Sequence, residues 1–370
     1  MPHIDPDGLL EYSVVFTDRS LNHMSAQFQQ VMRDISTTLK EVYHAAGVAL
    51  VPGGGTFGME AVARQFARDK RCMVLRNGWF SYRWSQIFAT TELPAEEIIV
   101  KARPVSNETQ AAFAPAPIDE VVAAIHQQRP EVVFAPHVET ASGILLPDDY
   151  LRAISAAVHE VGGLFVLDSI ASGTLWVDME DCGVDILISA PQKGWSSSPS
   201  CALIMFSPLA LERIEGTVSN SFAADLKKWL EIMRAYETGS HAYHATLPTD
   251  ALKILRDAML ETRDYGFERI KQEQLEVGQR VRKLMSDKGF ISVAAPGYEA
   301  PGVVVCYTND EGIHNGNAFL QQGLQAASGV PLMCEEPADF KTFRIGLFGL
   351  DKLHDPERTV ARLEKALSNL

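Results

Sequence analysis

The sequence predicts an α/β fold built on a mainly parallel, seven-stranded sheet, and three observations carry that reading. Short, nearly continuous apolar runs recur along the first half of the chain: "GVALVPG", "CMVLRN", "EEIIVKA", "EVVFAPHVE", "GLFVLDS", "DILISAP" and "CALIMFS". Helical segments alternate with them, the arrangement of a sheet covered on both faces. At 370 residues the chain exceeds the size at which one hydrophobic core stops growing, which favours two domains over one.

In chain order, an opening segment of residues 1–20 precedes the helix "SAQFQQVMRDISTTLKEVYHAAG", whose apolar residues repeat at helical spacing. The helices "PIDEVVAAIHQQRP" and "DDYLRAISAAVHEVGG" carry acidic residues near their starts, where the helix dipole favours them. This alternation is regular to about residue 210. From Thr249 to Lys288 the pattern is one long helical stretch with a break near Gly266, followed by strand candidates "FISVAA", "GVVVCYT" and "FRIGLFG" and a last helix "DPERTVARLEKALSNL". The expected domains are therefore 21–250, a large α/β domain, and 251–370, a smaller α+β domain.

Composition narrows the function. With 46% hydrophobic and 22% charged residues the chain reads as a soluble globular protein. A net charge of −14 repels nucleic acid and anionic membranes, leaving small molecules as partners. The first residues are acidic where a signal peptide is basic, and no apolar run approaches a membrane span, so a cytoplasmic location is expected. Cys72, Cys182, Cys201, Cys306 and Cys334 lack C-x-x-C spacing and read as free thiols; no metal site is indicated, since the histidines of "HAYHA" have no third ligand placed by sequence.

Three stretches carry chemistry. In "ALVPGGGTFGMEAVARQFA", Gly53, Gly55 and Gly58 match G-x-G-x-x-G between a strand and a helix. A dinucleotide site wants an acid at the end of the next strand, where "CMVLRNGWF" has Arg76 and Asn77, and no Gly-Lys-Ser/Thr follows for a P-loop. What remains is a phosphate cradle from Gly55, Thr56 and the Phe57 N–H, or a plain tight turn. Asp168 ends a buried strand, where open α/β sheets bind ligands; it either holds a cationic group or caps a helix. Lys193 ends the following strand among small residues, where desolvation makes an amine nucleophilic toward aldehydes unless the side chain snorkels to solvent. Phosphate cradle, carboxylate and amine together are the three needs of pyridoxal 5′-phosphate.

The runs "VLDSIAS", "ISAPQKGW", "AYHATLP" and "FRIGLFG", in that order, resemble the class V aminotransferases of fold type I, particularly the alanine–glyoxylate, serine–pyruvate and 2-aminoethylphosphonate–pyruvate branch. The resemblance implies a transaminase moving an amino group from a small amino acid or aminophosphonate-type donor to glyoxylate or pyruvate, with Lys193 as the Schiff-base lysine and Asp168 as the partner of the ring nitrogen. It further implies that Ile170 packs on one ring face and Phe80 on the other, with Trp79 taking that place if the turn is shifted by one. Thr140 falls near the ring oxygen, Gln192 joins Gly55 and Thr56 at the phosphate, and Arg344 clamps the substrate carboxylate. Tyr243 and Thr246 match residues that reach a neighbouring subunit's phosphate, which implies a homodimer with shared active sites.

Two departures stand out. Relatives open with a Gly-Pro-rich stretch lining the substrate pocket, whereas this chain has "VVFTDRSLNHMS"; if residues 1–20 line the active site, Arg19 is placed to read a distal carboxylate, phosphonate or sulfonate, and otherwise it is a solvent-exposed or Asp18-paired arginine. After the lysine, "KGWSSSPSC" keeps Pro199 but has Ser200 in place of a glycine. Cysteine desulfurase is the rival of the same fold, with Cys334 as its one plausible thiol and Gln192 where a histidine is usual. A non-catalytic regulatory homologue and a nicotinamide-dependent dehydrogenase are the alternatives of another class.

Overall fold

The computed structural model describes residues 9–368, so residues 1–8 of the opening segment and 369–370 lie outside the described residues. All seven apolar runs become strands of one sheet: β1 (Gly47–Pro52), β2 (Arg71–Arg76), β3 (Glu96–Lys101), β4 (Val132–Pro136), β5 (Leu164–Asp168), β6 (Ile186–Ser189) and β7 (Cys201–Phe206). Their order is β1-β7-β6-β5-β4-β2-β3. Strand β7 runs antiparallel to both its neighbours, and every other adjacent pair is parallel. Strands β4 to β7 are buried along their whole length, which is why they read as unbroken apolar runs rather than as alternation.

Helices cover both faces. The principal ones of the first half are α1 (Ala26–Tyr43), α2 (Gly55–Phe66), α3 (Trp79–Thr91), α4 (Ile118–Gln128) and α5 (Asp148–Glu160). Ser25 caps α1 by accepting the Phe28 N–H at 3.1 Å, and α1 stops at His44, whose φ of 52° turns the chain toward β1. Next, α6 (Leu226–Glu237) packs on β1 and α1, burying Trp229 and Tyr236.

The long helical stretch is two helices, α7 (Thr249–Tyr265) and α8 (Phe267–Asp287), interrupted at Gly266 with φ 108°. Leu252, Leu255 and Met259 of α7 belong to the large core, whereas Ile270, Val277 and Val281 of α8 belong to a second core. That second core lies under a small antiparallel sheet of β8 (Val303–Tyr307), β9 (Ala327–Ser328) and β10 (Thr342–Gly346), ordered β8-β10-β9, and against α9 (Pro356–Leu367).

The candidate strand "FISVAA" does not form a strand. Its backbone is divided between two partners: the Val293 N–H donates to the Val305 carbonyl (3.0 Å), while the Val293 carbonyl accepts the Phe113 N–H (2.7 Å). A segment that bridges two neighbours makes isolated pairs, Ser292 with Cys306 and Ala294 with Phe113, and no continuous ladder.

The sheet register positions the site. Pro136 pairs with Asp168 and Asp168 with Ile188, so β4, β5 and β6 end side by side and deliver His137–Thr140, Asp168 and the 190–195 loop to one edge. Among the described residues no helix is long and apolar enough to cross a membrane.

Candidate active site

A cavity of about 350 Å³ opens where those strand ends face β10. Asp168, at the end of β5, spends Oδ1 on the Ile170 N–H (3.0 Å). Burial pushes its carboxyl up to about 7, with the nearby Glu139 charge adding to the rise and the Ile170 N–H, Arg83 and Lys193 opposing it. A desolvated carboxylate of this kind is stabilised by any cation brought to it.

Lys193 enters the same cavity from the turn after β6. Its ammonium lies 5.1 Å from the Phe348 ring centroid. Desolvation, then the Arg344 charge, hold its pKa below the ordinary lysine value, while Asp168 pulls the other way. The turn is held from below: a Cβ on Gly194 would lie 2.0 Å from the Gly173 carbonyl oxygen, so only glycine passes there. Trp195 next to it is fully buried, with its ring 4.7 Å from Trp176.

The glycine turn forms the third wall. Gly54 starts α2 without a side-chain cap, and a Cβ on Gly55 would meet Ile170 Cδ1 at 2.4 Å. The Phe57 and Gly58 N–H groups both donate to the Gly54 carbonyl. Those of Gly55 and Thr56 have no acceptor among the described residues, which leaves the helix N-terminus to an outside anion.

On the opposite wall stands Arg344 of β10. Its Nε donates to the Ser328 carbonyl at 2.8 Å, and its terminal nitrogens have no hydrogen-bond partner among the described residues. The guanidinium lies 5.4 Å from the Phe80 ring centroid. A half-buried planar cation with a free fork suits a carboxylate.

The family model for aminotransferase class-V matches residues 9–339 of the sequence. The chain belongs to the class V aminotransferases. It is 24% identical over 360 residues to the alanine–glyoxylate aminotransferase of Oryctolagus cuniculus, covering 94% of this chain and 87% of the relative. To the 2-aminoethylphosphonate–pyruvate transaminase of Burkholderia ambifaria it is 28% identical over 321 residues, covering 86% of this chain and 81% of the relative. Among solved structures, the alanine–glyoxylate aminotransferase of Nostoc sp. superposes with a TM-score of 0.78 at 20% identity, over 94% of this chain and 88% of that one. The fold is that of the fold type I aminotransferases, and the chain is a pyridoxal-phosphate-dependent transaminase by family.

Within this aminotransferase the cavity gathers Gly55, Thr56, Phe80, Thr140, Asp168 and Ile170, together with Gln192, Lys193 and Arg344. It does not gather four residues that the sequence suggested. Phe57 turns its ring outward over Gly53, and its N–H is consumed by Gly54, so it offers nothing to the cavity. Tyr243 (55% exposed) and Thr246 bond to each other at 3.1 Å on the surface. Arg19 is exposed on the opening segment, outside the cavity lining. Of the two aromatic candidates on α3, Phe80 lines the cavity and Trp79 packs on Tyr82.

Cys334, the thiol a desulfurase would need, is 3% exposed and donates to the Arg76 carbonyl at 3.2 Å. Burial pushes its pKa up to about 12, which leaves no thiolate at neutral pH. All five cysteines are buried and unpaired.

Several residues of the aminotransferase site carry no local signal in the sequence. Glu139 is fully buried and accepts the Ser81 N–H (2.9 Å), the Phe80 N–H (3.2 Å) and the Ser81 hydroxyl (2.7 Å), capping α3 from another strand. The cap fixes the turn that presents Phe80. Phe348 forms the floor under Lys193, and Arg83 donates to the Thr56 hydroxyl at 2.9 Å. Their roles arise from contacts across the fold, and the only clue in sequence is the helical spacing of Phe80 and Arg83.

Proposed function

We propose that this aminotransferase binds pyridoxal 5′-phosphate in the cavity and moves an amino group from a small amino acid or aminophosphonate-type donor to a small 2-oxo acid, glyoxylate or pyruvate. The convergence of Lys193, Asp168 and Arg344 on one cavity carries the reading. The named activities of the rabbit and Burkholderia relatives support the choice of substrate class. The residues fit the cofactor: a desolvated carboxylate, an amine whose charge is disfavoured, and helix amides lacking an acceptor among the described residues. When bound, the cofactor supplies an aldehyde and an electron-accepting ring.

In this reading Asp168 holds a proton on the ring nitrogen, which stabilises the carboxylate in turn. Lys193 would hold the cofactor through its amine, and its Nζ would be the group that takes and returns the donor's Cα proton. Arg344 orients the donor through a bidentate pair with its α-carboxylate. Phe80, Ile170 and Thr140 would hold the ring, and Gly55, Thr56 and Gln192 would hold the phosphate. The large domain, 21–250, thus carries the cofactor residues, and the small domain, 251–370, carries Arg344.

We infer that the working unit is a homodimer with shared sites in a reducing, cytoplasmic setting. Supporting the dimer is an exposed apolar surface around Tyr243: Phe222 (77% exposed) contacts the His244 ring, and Tyr243 contacts His23, which contacts Phe16. Tyr243 and Thr246 then serve the phosphate of a second copy, and Arg19, exposed on the opening segment, reads a distal anionic group of the donor there.

A panel of amino donors against glyoxylate, pyruvate and 2-oxoglutarate, followed by the cofactor's spectrum, tests the reading. Conversion by at least one small donor is expected; a cofactor that no donor converts overturns it. Arg19→Ala is expected to weaken acidic donors more than neutral ones, and an equal loss on both removes Arg19 from the substrate site.

A further inference from the structure

We propose that Arg83 is the cation of the phosphate cradle, its guanidinium neutralising the cofactor's phosphate dianion between Thr56 and Gln192. The inference rests on the cofactor reading above and adds one residue to it.

Arg83 lines the same cavity as Gly55, Thr56 and Gln192. Its Nη1 donates to the Thr56 hydroxyl at 2.9 Å, so the hydroxyl that offers itself to a phosphate also fixes the guanidinium beside it. Arg83 forms no ion pair with any carboxylate among the described residues. In a chain with 47 acidic and 33 basic residues, a half-buried arginine that faces a cavity and forms no ion pair there is a cation kept for a ligand.

The platform under it is rigid. Arg83 follows Phe80 by three positions on α3, so one helix face carries both side chains, and the guanidinium lies 5.2 Å from the Phe80 ring centroid. Glu139 anchors that first turn through the Phe80 and Ser81 N–H groups. One rigid turn thus presents an aromatic face for the ring and a charge for the phosphate.

The other phosphate contacts supply only neutral dipoles: the Gly55 and Thr56 amides, the Thr56 hydroxyl and the Gln192 amide. A phosphate monoester carries about −1.5 to −2 charges at neutral pH, and the net charge of the chain is itself −14. Dipoles alone leave that charge uncompensated; a planar guanidinium compensates it with two directed donors.

The experiment titrates the full chain, stripped of cofactor, with pyridoxal 5′-phosphate and separately with pyridoxal, which lacks the phosphate. Binding is read from the absorbance of the lysine-linked aldehyde in wild type, Arg83→Gln and Arg83→Lys. For Arg83→Gln we expect the Kd for pyridoxal 5′-phosphate to rise about 10- to 100-fold, as for loss of a charged hydrogen bond, with the Kd for pyridoxal unchanged. Arg83→Lys is expected to recover part of the loss. Equal weakening of both ligands marks a general packing defect and overturns the proposal, as does an unchanged Kd for pyridoxal 5′-phosphate. Wild-type protein that binds neither aldehyde overturns the cofactor reading and this proposal with it.

Discussion

The Ser196 hydroxyl accepts a hydrogen bond from the Leu350 N–H at 2.8 Å, tying the turn that carries Lys193 to the segment that follows Arg344 and Phe348. Ser196 has φ 56°, and its own N–H donates to the Lys193 carbonyl at 3.2 Å. One residue thus relates the amine to the wall bearing the carboxylate clamp. Ser196→Ala removes the hydroxyl and keeps the strained backbone, whereas Ser196→Gly removes the hydroxyl and relieves it. Both are expected to lower kcat/KM about 2- to 10-fold, the worth of one hydrogen bond, with the glycine variant melting higher than the alanine variant. Steady-state kinetics beside thermal unfolding separates the two effects; full activity in both variants would show that the link is idle.

The Cβ added in Gly194→Ala meets the Gly173 carbonyl oxygen, a backbone atom that cannot yield as a flexible side chain would. Overpacking at a rigid contact is expected to cost about 1–3 kcal/mol and to displace Lys193 as well. Denaturant unfolding of the variant, together with its capacity to bind cofactor, measures both consequences.

Asp168 gives a pH signature in the cofactor-free protein. Its folded pKa is raised to about 7 from 3.8, so between those values the folded chain retains a proton that the unfolded chain has lost. Its contribution to stability therefore falls as pH rises through that window and levels off above pH 7. In Asp168→Asn that fall should disappear, leaving the cofactor-free variant more stable than wild type at pH 8 while it binds the cofactor more weakly. Unfolding curves from pH 4 to 8 decide the point; identical pH dependence in both proteins contradicts it.

The Arg344 charge helps keep Lys193 below the ordinary lysine value. Arg344→Gln removes that cation, so the Lys193 pKa rises and less free amine is present near neutrality. The rate at which pyridoxal links to the protein should fall at pH 7, with its pH midpoint shifted upward, and Arg344→Lys should hold the wild-type midpoint. A midpoint unmoved in Arg344→Gln places the shift entirely in desolvation.

Much of this was legible in the sequence because it is local. Strands β4 to β7 are buried along their whole length and so announce themselves as apolar runs, and Gly266 breaks a helix where glycine alone tolerates φ 108°. Lys193, Asp168 and the glycine turn were readable because each ends or follows such a strand. Glu139, Arg83, Phe348 and Ser196 were not, since each acts through a partner distant in the chain: Ser81, Thr56, Lys193 and Leu350. "FISVAA" misled for the same reason, its apolar pattern saying nothing about how many neighbours share its backbone.

The central claim is that Lys193 is the amine that holds the cofactor. Borohydride reduction of the protein incubated with pyridoxal 5′-phosphate, followed by peptide mass analysis, tests it directly. We expect one reduced cofactor per chain, on the peptide containing Lys193, and none in Lys193→Ala. A label confined to other lysines, or an unlabelled Lys193 peptide in protein that has bound the cofactor, would contradict the account.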